Sequence, residues 1–302
     1  MGEKMKNETK DLVVYINGEI VPLKDAKISV LDRCFVYGDG VFEGIQVLEG
    51  RIVDLDKHVN RLFRSAQCIK IEVPLSVSEM REAILRVVRE SHLKDGYVRP
   101  VISRGEGPLG LERMKELSQP NIVIIPQMRT VYSDRIKFEE GLKGKVVSTR
   151  RTPPQCLDPR IKSCNYLNNV LAKIEQIEAG AQVGIMLDME GYVCEECGKN
   201  IFVIKEGVLH TPLSTKILEG ITRENIIEIA RIKGWKVVER DLTLYDLYTA
   251  DEVFVCATMS EATPVVHIDG RIIGNGKPGP MTIELVHLLR KKMMDEGVKV
   301  FE

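Results

Sequence analysis

The sequence lacks the features by which membrane, secreted and nucleic-acid-binding proteins are usually recognised. No apolar run among its 302 residues approaches the roughly 18 that a membrane-spanning helix needs. The first residues, Met1–Asp11, are polar and charged and contain no apolar core of a signal peptide. The net charge of −1 leaves no excess of lysine and arginine for a nucleic-acid surface. We therefore expect a cytoplasmic protein whose partners are neither membranes nor nucleic acids.

Cysteines do not form a disulfide framework, because seven is an odd number and they are scattered along a long chain. Cys194 and Cys197 form the only CxxC pair. A structural zinc site would need a second pair or nearby histidines at ligand spacing, and none follows, so we predict no metal site. A redox motif stays an alternative for this pair, but the sequence favours two half-buried thiols in a pocket wall.

The first half of the chain predicts a mixed sheet with helices packed on it. Asn17-Gly18 accepts the positive φ angles of a tight hairpin turn, and Glu49-Gly50 marks a second hairpin. Apolar residues at helical spacing from Leu55 to Ile69 predict a helix. Ser76 and Glu79 form a capping box that opens another helix, ending near Glu90. Further strands are predicted at 97–103 and 121–126.

The second half predicts several hairpins and three longer helices. Polar residues with little periodicity place an interdomain loop at 128–135, between domains 1–127 and 136–302. The predicted strands are 145–149, a meander of 183–189, 192–195 and 200–204, then 236–240, 252–257 and a hairpin at Asp269-Gly270. The predicted helices are 166–178, 222–233 and 282–296. Frequent hairpins favour an α+β fold, because a doubly wound parallel sheet joins its strands by helices.

Three separated features predict a pyridoxal phosphate site. Lys162 comes shortly before an apolar helix, with Tyr166 four residues further on. Glu195 supplies an acid, and Gly220 to Arg223 form a turn that opens a helix. The cofactor needs an amine to hold its aldehyde, an acid to keep its ring nitrogen protonated and backbone amides to bind its phosphate. Taken alone, Lys162 would be a surface lysine, so the ordered set carries the prediction.

Residues 105–110, Gly-Glu-Gly-Pro-Leu-Gly, match GxGxxG after a predicted strand. A dinucleotide site would also need a helix opening at the turn and an acid about 20 residues on. Pro108 lies inside the loop, and the next strand ends at Pro126-Gln127-Met128 without an acid. We therefore predict a glycine-rich surface loop, with a nicotinamide-dependent dehydrogenase and a cofactor-free binding protein as the disfavoured alternatives.

Six blocks of the sequence, in order, resemble the class IV, or fold-type IV, pyridoxal-phosphate aminotransferases. The strand Tyr97-Val98-Arg99, the segment 158–162 and Tyr166-Leu167-Asn168-Asn169 are most similar to the branched-chain amino-acid aminotransferases. The blocks are 37–44, 96–99, those around Lys162, Glu195 and Gly220, and 257–264. The resemblance implies a smaller N-terminal α/β sandwich domain and a larger C-terminal pseudo-barrel domain that carries the cofactor lysine. It also implies a homodimer or a higher homo-oligomer.

The implied reaction moves the amino group of L-leucine, L-isoleucine or L-valine to 2-oxoglutarate, giving branched 2-oxo acids and L-glutamate. The turn Thr258-Met259-Ser260 departs from the Thr-Ala-Ala that many such enzymes carry and is similar to that of D-amino-acid aminotransferases. A D-amino-acid aminotransferase and a 4-amino-4-deoxychorismate lyase therefore stay open as alternatives on the same fold.

The resemblance also assigns cofactor-binding residues. Lys162 would bind the aldehyde and move protons, and Glu195 would pair with the ring nitrogen. Glu196 is the rival acid, but neighbouring strand residues point to opposite faces, so only one of the two can reach the ring. The remaining cofactor contacts are Tyr166 at the ring hydroxyl, Arg61, Ile221, Thr222 and Thr258 at the phosphate, and Leu218 on the ring face.

The implied substrate site divides the two ends of the amino acid. Tyr97 and the amides of Met259 and Ser260 would hold the α-carboxylate. Arg99 would bind the second carboxylate of 2-oxoglutarate, since a planar guanidinium grips carboxylates bidentately. Phe42, with Tyr37, would line the aliphatic pocket, although core packing is an equal alternative for Phe42.

Overall fold

The computed structural model describes residues 12–128 and 138–301, and these form two compact units. The first unit contains the described residues up to 128 together with Ile161–Asn165 and 293–301. The second contains 138–160 and 166–292. Most of the predicted interdomain loop, 128–135, lies outside the described residues, and the domain limits 1–127 and 136–302 stay predictions.

The first unit is built on one sheet with two long helices. Its strands are β1 (Val13–Ile16), β2 (Glu19–Pro22), β3 (Gly40–Phe42), β4 (Ile45–Leu48), β5 (Arg51–Ile52), β6 (Gly96–Ser103), β7 (Ile122–Met128) and, near the end of the chain, β17 (Val298–Lys299). Among the described residues the sheet order is β17-β5-β4-β6-β7-β1-β2, with β3 paired to β6. Its helices are α1 (Arg33–Tyr37), α2 (Leu55–Cys68) and α3 (Val77–Glu90). Asn17 at φ 50° and Gly18 at φ 103° form the tight β1–β2 turn, as predicted.

The core of this unit lies between the sheet and the two long helices. Val59, Leu62 and Ala66 repeat at helical spacing on α2 and are fully buried. Ser76 caps α3 with the predicted capping box, in which its hydroxyl accepts from the Glu79 amide and the Glu79 carboxylate accepts from the Ser76 amide. The apolar period predicted these helices because burial of one face is what stabilises a short helix.

The second unit contains a larger sheet of mixed direction. Its strands are β8 (Leu142–Val146), β9 (Val183–Leu187), β10 (Val193–Glu196), β11 (Asn200–Lys205), β12 (Val208–Thr211), β13 (Val237–Glu239), β14 (Glu252–Ala257), β15 (Glu261–Ile268) and β16 (Arg271–Ile272). The order is β10-β9-β8-β15-β14-β11-β12-β13, with β16 paired to β15, counted over the described ranges. The remaining α-helices with printed bounds are α4 (Leu167–Glu178), α5 (Ile221–Ile232), α6 (Leu244–Tyr248) and α7 (Pro280–Glu296).

Two predictions for this sheet were wrong in detail. The first strand is Leu142–Val146, not 145–149, since residues 148 and 149 leave the sheet and bond to the Glu175 carboxylate. The predicted meander is also wrong, because β9 and β10 form a hairpin while β11 pairs with β12 and β14. A tight turn between Glu196 and Lys199 redirects the chain after β10.

The α+β prediction is confirmed. Hairpins dominate both sheets, although β8 pairs in parallel with β9 and β15, and β12 pairs in parallel with β13. Helix α5 ends before Gly234, whose φ of 73° suits a glycine that follows a helix. The glycine-rich loop 105–110 leads into a 3-10 helix at Leu111–Glu116 instead of the α-helix that a dinucleotide site requires.

Candidate active site

Lys162 lies in the first unit, on an extended segment that pairs with β3. The Phe42 N–H donates to the Lys162 carbonyl at 3.0 Å, and the Cys164 N–H donates to the Gly40 carbonyl at 2.8 Å. The Lys162 N–H in turn donates to the Ser65 hydroxyl of α2 at 3.2 Å. Helix α4 begins only at Leu167, so the backbone of the lysine is positioned by β3 and α2.

The Lys162 side chain shares an aromatic neighbour with Arg99. Lys162 Nζ lies 4.8 Å from the centroid of the Phe42 ring, and Arg99 Cζ lies at the same distance from it. The Arg99 guanidinium also donates to the Tyr97 hydroxyl from Nε at 3.1 Å and Nη2 at 3.0 Å. A Cβ at Gly44 would collide with the Tyr97 hydroxyl, so the strand needs glycine there. Four of the predicted residues, Lys162, Phe42, Tyr97 and Arg99, are therefore brought together.

Tyr37 has its contacts at a different place in the same unit. Its hydroxyl accepts from the Gly110 N–H at 2.9 Å, and Arg33 Cζ lies 4.7 Å from the centroid of its ring. It thus helps to order the glycine-rich loop against α1. Its role in an aliphatic pocket stays a prediction.

Arg61 is held in a buried ion-pair cluster with Glu43 and His58. Arg61 Nε donates to Glu43 Oε1 at 2.6 Å, and Nη2 donates to Oε2 at 2.8 Å. His58 Nδ1 lies 2.8 Å from the same Oε2. Burial works to raise the pKa of Glu43, but Arg61 and His58 outweigh it and hold the pKa well below its usual range. The cluster fixes the orientation of Arg61; sequence reasoning missed His58 and gave Glu43 no role.

Gln46, on β4 opposite Tyr97, is a second residue that sequence reasoning missed. It is fully buried, and neither polar atom of its amide has a hydrogen-bond partner among the described residues. Directly opposite residues of an antiparallel pair project from the same face, so Gln46 and Tyr97 share a face. A buried amide without partners costs a few kcal/mol, of order 1–3, which makes Gln46 a candidate contact for a polar ligand.

In the second unit, donors converge on Glu195. The carboxylate is almost fully buried and accepts from Arg151 Nε at 2.6 Å, from Asn200 Nδ2 at 3.2 Å and from the Leu218 N–H at 3.2 Å. A carboxylate with charged and polar donors of this kind is stabilised as an anion. Arg151 and Asn200 carried no signal in the sequence, because both depend on contacts between residues far apart in the chain.

Glu196 has entirely different printed partners. Its Oε1 accepts from Lys173 Nζ at 3.4 Å, and its Oε2 accepts from the Gly198 N–H at 2.8 Å. The two neighbouring acids therefore point to separate surroundings, as the alternation along a strand predicts. Only Glu195 is connected to the residues around Leu218.

The start of α5 lies close to the Glu195 carboxylate. Asn200 Nδ2, which bonds to Glu195, also donates to the Leu218 carbonyl at 2.9 Å. A Cβ on Gly220 would collide with Asn200 Oδ1, so only glycine fits at the helix N-cap. Gly220 provides no side-chain cap, and the first amides of the helix, at Ile221 and Thr222, suit an anion such as a phosphate.

Thr258, Met259 and Ser260 form the turn that joins β14 to β15. The Ser260 N–H donates to the Ala257 carbonyl at 3.1 Å, and the Thr263 hydroxyl donates to the Ser260 carbonyl at 2.8 Å. The Ser260 hydroxyl is buried and has no partner within the described part of the chain. It can therefore serve as a donor to a ligand.

The Tyr-Leu-Asn-Asn motif begins α4. Tyr166 is its N-cap residue and is half-buried. Asn168 donates to the Arg150 carbonyl at 2.8 Å, and Asn169 donates to the Cys197 carbonyl at 2.8 Å. The two asparagines thus fix the helix against the segments that carry Arg151 and Glu195.

Cys194 and Cys197 do not have the character of redox thiols. Both are buried, and burial is the main cause that raises the pKa of each to about 12. No cluster of metal-ligating side chains occurs among the residues that the structure describes. Within the same residues, no helix is long and apolar enough to cross a membrane.

Comparison with known proteins gives consistent matches along almost the whole chain. The family model of the class IV amino-transferases matches residues 40–268. A Methanocaldococcus jannaschii protein is 43% identical over 290 residues, which cover 96% of this chain and 99% of that protein. The branched-chain-amino-acid aminotransferase of Pseudomonas aeruginosa is 38% identical, over 93% of this chain and 92% of its own length.

Solved structures of a branched-chain amino acid aminotransferase from the source abbreviated T.th. have the same fold. The structure with pyridoxamine 5'-phosphate has a TM-score of 0.90 and 35% identity, covering 94% of this chain and 95% of its own. Two others, each with a TM-score of 0.87, contain N-(5'-phosphopyridoxyl)-L-glutamate and 4-methylvaleric acid. They are 34% and 35% identical and cover 93% of this chain and 94% of their own. The fold prediction is therefore confirmed.

Proposed function

The chain belongs to the class IV aminotransferases and is a pyridoxal-phosphate enzyme, and from this we propose that it transfers amino groups between branched-chain L-amino acids and 2-oxoglutarate. The products would be branched 2-oxo acids and L-glutamate. The names of the relatives support the branched-chain substrates. The two ligands of the T.th. enzyme support both ends of the reaction, since one carries a glutamate and the other a leucine-like apolar chain.

The observation that carries the proposal is the Glu195 carboxylate, which accepts from Arg151, Asn200 and Leu218 beside the open start of α5. An anionic carboxylate and a group of helix amides fit a cationic ring nitrogen and a phosphate, respectively. When bound, pyridoxal phosphate supplies an electrophilic aldehyde and a ring that accepts electrons. The residues of the second unit therefore fit the cofactor.

We assign each cofactor contact by its chemistry. Lys162 Nζ would hold the aldehyde and then, once released, move the proton from the substrate Cα. Glu195 would keep the ring nitrogen protonated, and Tyr166 would donate to the ring hydroxyl. The phosphate would take Arg61, the amides of Ile221 and Thr222 with the Thr222 hydroxyl, and Thr258, while Leu218 would pack on the ring.

The substrate contacts follow from the Phe42 cluster. Phe42 would contact the aliphatic side chain, and Arg99 would bind the second carboxylate of glutamate or 2-oxoglutarate. Tyr97, Met259 and Ser260 would hold the α-carboxylate, and the unpartnered Ser260 hydroxyl supports that role. Gln46, on the same face as Tyr97, would supply a further polar contact.

We also propose that a second copy of this chain covers α4. Five large apolar residues project from this helix into solvent: Leu167, Val170, Leu171, Ile174 and Ile177. Apolar patches of this kind on a soluble protein mark interaction surfaces. A homodimer is the simplest assembly that would bury them.

Reduction with borohydride tests the cofactor assignment. It should attach the cofactor to Lys162, as found by peptide mass spectrometry, and Lys162→Ala should abolish turnover with little change in the unfolding temperature. Label on another lysine, or on none, would overturn the assignment. A panel of L- and D-amino acids, assayed by 2-oxo-acid formation, then separates the proposed reaction from a D-amino-acid aminotransferase.

A further inference from the structure

Cys34 and Cys164 come together above Gly40. The Cys164 N–H bonds to the Gly40 carbonyl, and Val41 pairs with Ser163, so Cys164 lies opposite Gly40 in a short antiparallel ladder. Directly opposite residues project from the same face, with Cα atoms about 5.5 Å apart where they are hydrogen-bonded. Gly40 has no side chain, and Cys34 Sγ lies 3.0 Å from the position that its Cβ would take. The Cys34 sulfur therefore occupies the space beside Cys164.

The electrostatics of the two thiols agree with this contact. A hydrogen bond from the Cys164 thiol is the largest cause that lowers the pKa of Cys34, although burial, Asp32 and Asp39 act against it. The same contact raises the pKa of Cys164. Cys34 thus has the character of the attacking thiolate, and Cys164 that of the thiol that responds.

Partial exposure distinguishes this pair from the other cysteines. Cys34 and Cys164 are both half-buried, so a small oxidant can approach them, whereas Cys194, Cys197 and Cys256 are buried. Burial is the first cause that raises the pKa of each of those three to about 12. The remaining cysteines, Cys68 and Cys156, are exposed.

We propose that Cys34 and Cys164 form a disulfide modification site that is closed by peroxide. The Cys34 thiolate attacks hydrogen peroxide, which forms an S–O bond and releases hydroxide as the O–O bond breaks. The Cys164 sulfur then attacks the Cys34 sulfur, and the hydroxyl leaves with the Cys164 proton as water. Both sulfurs are oxidised by one electron each, and the peroxide takes up the two electrons.

The bond would connect α1 to the segment that carries Lys162. An S–S bond of about 2.05 Å is much shorter than a contact between two thiols, so closing it must move one backbone toward the other. Lys162 is two residues from Cys164 and its carbonyl accepts from Phe42, so the shift reaches the lysine. This consequence for turnover rests on the proposed function, whereas the disulfide itself does not. A displacement near 1 Å can cost about a hundredfold in rate, and we expect at least a tenfold loss.

The test uses the holoenzyme with stoichiometric hydrogen peroxide, followed by tryptic mapping without reductant. Trypsin releases Cys34 in peptide 34–51 and Cys164 in peptide 163–173, and each peptide contains one cysteine. The expected result is a linked pair of these peptides, with leucine transamination restored by dithiothreitol. Cys34→Ser and Cys164→Ser should each lack the link and keep activity in peroxide, while Cys156→Ser should behave like the wild type.

The outcomes separate the proposal from the proposed function. Oxidation of either cysteine to sulfinic acid without the linked peptide, or a link to another cysteine, would overturn the site. A linked peptide with unchanged turnover would overturn the restraint on Lys162. A linked peptide in a protein that shows no transamination before oxidation would leave the site standing and refute the proposed function.

Discussion

Glu195 and Glu196 are neighbours in the sequence, yet only Glu195 accepts from Arg151, Asn200 and Leu218. Glu195→Gln can still hydrogen-bond a ring nitrogen but cannot hold it protonated. We expect kcat to fall by about a hundredfold or more with the cofactor retained, because the lost interaction acts in the transition state. Steady-state kinetics with the cofactor absorbance recorded in parallel would measure this.

The matched control for that substitution is Glu196→Gln. It removes an acid whose partners are Lys173 and Gly198, so we expect kcat within about threefold of the wild type and a lower unfolding temperature. If Glu196→Gln were the inactive variant, the alternation argument for β10 would be wrong.

Arg99 is exposed and bonds to the Tyr97 hydroxyl beside the Phe42 ring. A carboxylate brought into a pocket without a cationic partner costs several kcal/mol, and leucine needs no such partner. Arg99→Ala should therefore slow the half-reaction with glutamate much more than that with leucine, by about tenfold or more in their ratio. Equal losses for both amino acids would mean that Arg99 holds the α-carboxylate, which every substrate has.

At the scale of an element, α4 has two different faces. It buries Asn169, Ala172 and Gln176, while its largest apolar residues are exposed, Leu167 by 70%. If a second copy covers this face, Ile174→Glu places a charge in an apolar interface and should reduce the particle to the mass of one chain. Size-exclusion chromatography with light scattering measures that mass directly.

A comparable substitution outside α4 provides the control. Ile232, at the end of α5, is 78% exposed, and Ile232→Glu adds the same charge there. We expect this variant to keep the mass of the wild type. A wild-type protein that is itself a monomer at micromolar concentration would contradict the dimer proposal.

At the scale of the whole molecule, several carboxylates lose stabilising partners in acid. Arg61 and His58 outweigh burial and depress the pKa of Glu43, while bonds from Ser148 and Thr149 lower that of Glu175 from 4.5 to about 2. Because these folded-state values lie below the unfolded ones, their stabilisation is complete above about pH 4.5 and declines as pH falls toward 2. Urea unfolding between pH 7 and 2.5 should show this decline in the free energy of unfolding.

Glu43→Gln isolates the largest buried contribution. It leaves the Arg61 guanidinium without its carboxylate, so we expect a loss of about 3–5 kcal/mol at pH 7. The difference from the wild type should narrow below pH 4.5, because the wild type loses stability there and the variant cannot lose this part. Glu72→Gln, at an exposed position, should instead run parallel to the wild type at every pH.

Local signals in the sequence were sufficient for most elements. The positive φ of Asn17, the Ser76 capping box and the apolar spacing of α2 are properties of short segments, and the structure has all three. The strand β8 was misplaced, and β11 was assigned to the wrong neighbours. Strand alternation tells which face a residue is on, but the choice of partner strand depends on residues far away in the chain.

The sequence by itself determined the fold class, the family and the residue types that a pyridoxal-phosphate enzyme requires, because motifs and periodicity are local. The tertiary structure decided which groups surround them: β3 and Ser65 at Lys162, Glu43 and His58 at Arg61, and Arg151 and Asn200 at Glu195. It also brought Cys34 beside Cys164. Each of these contacts joins residues separated by other elements, so it exists only once the sheets have set their register.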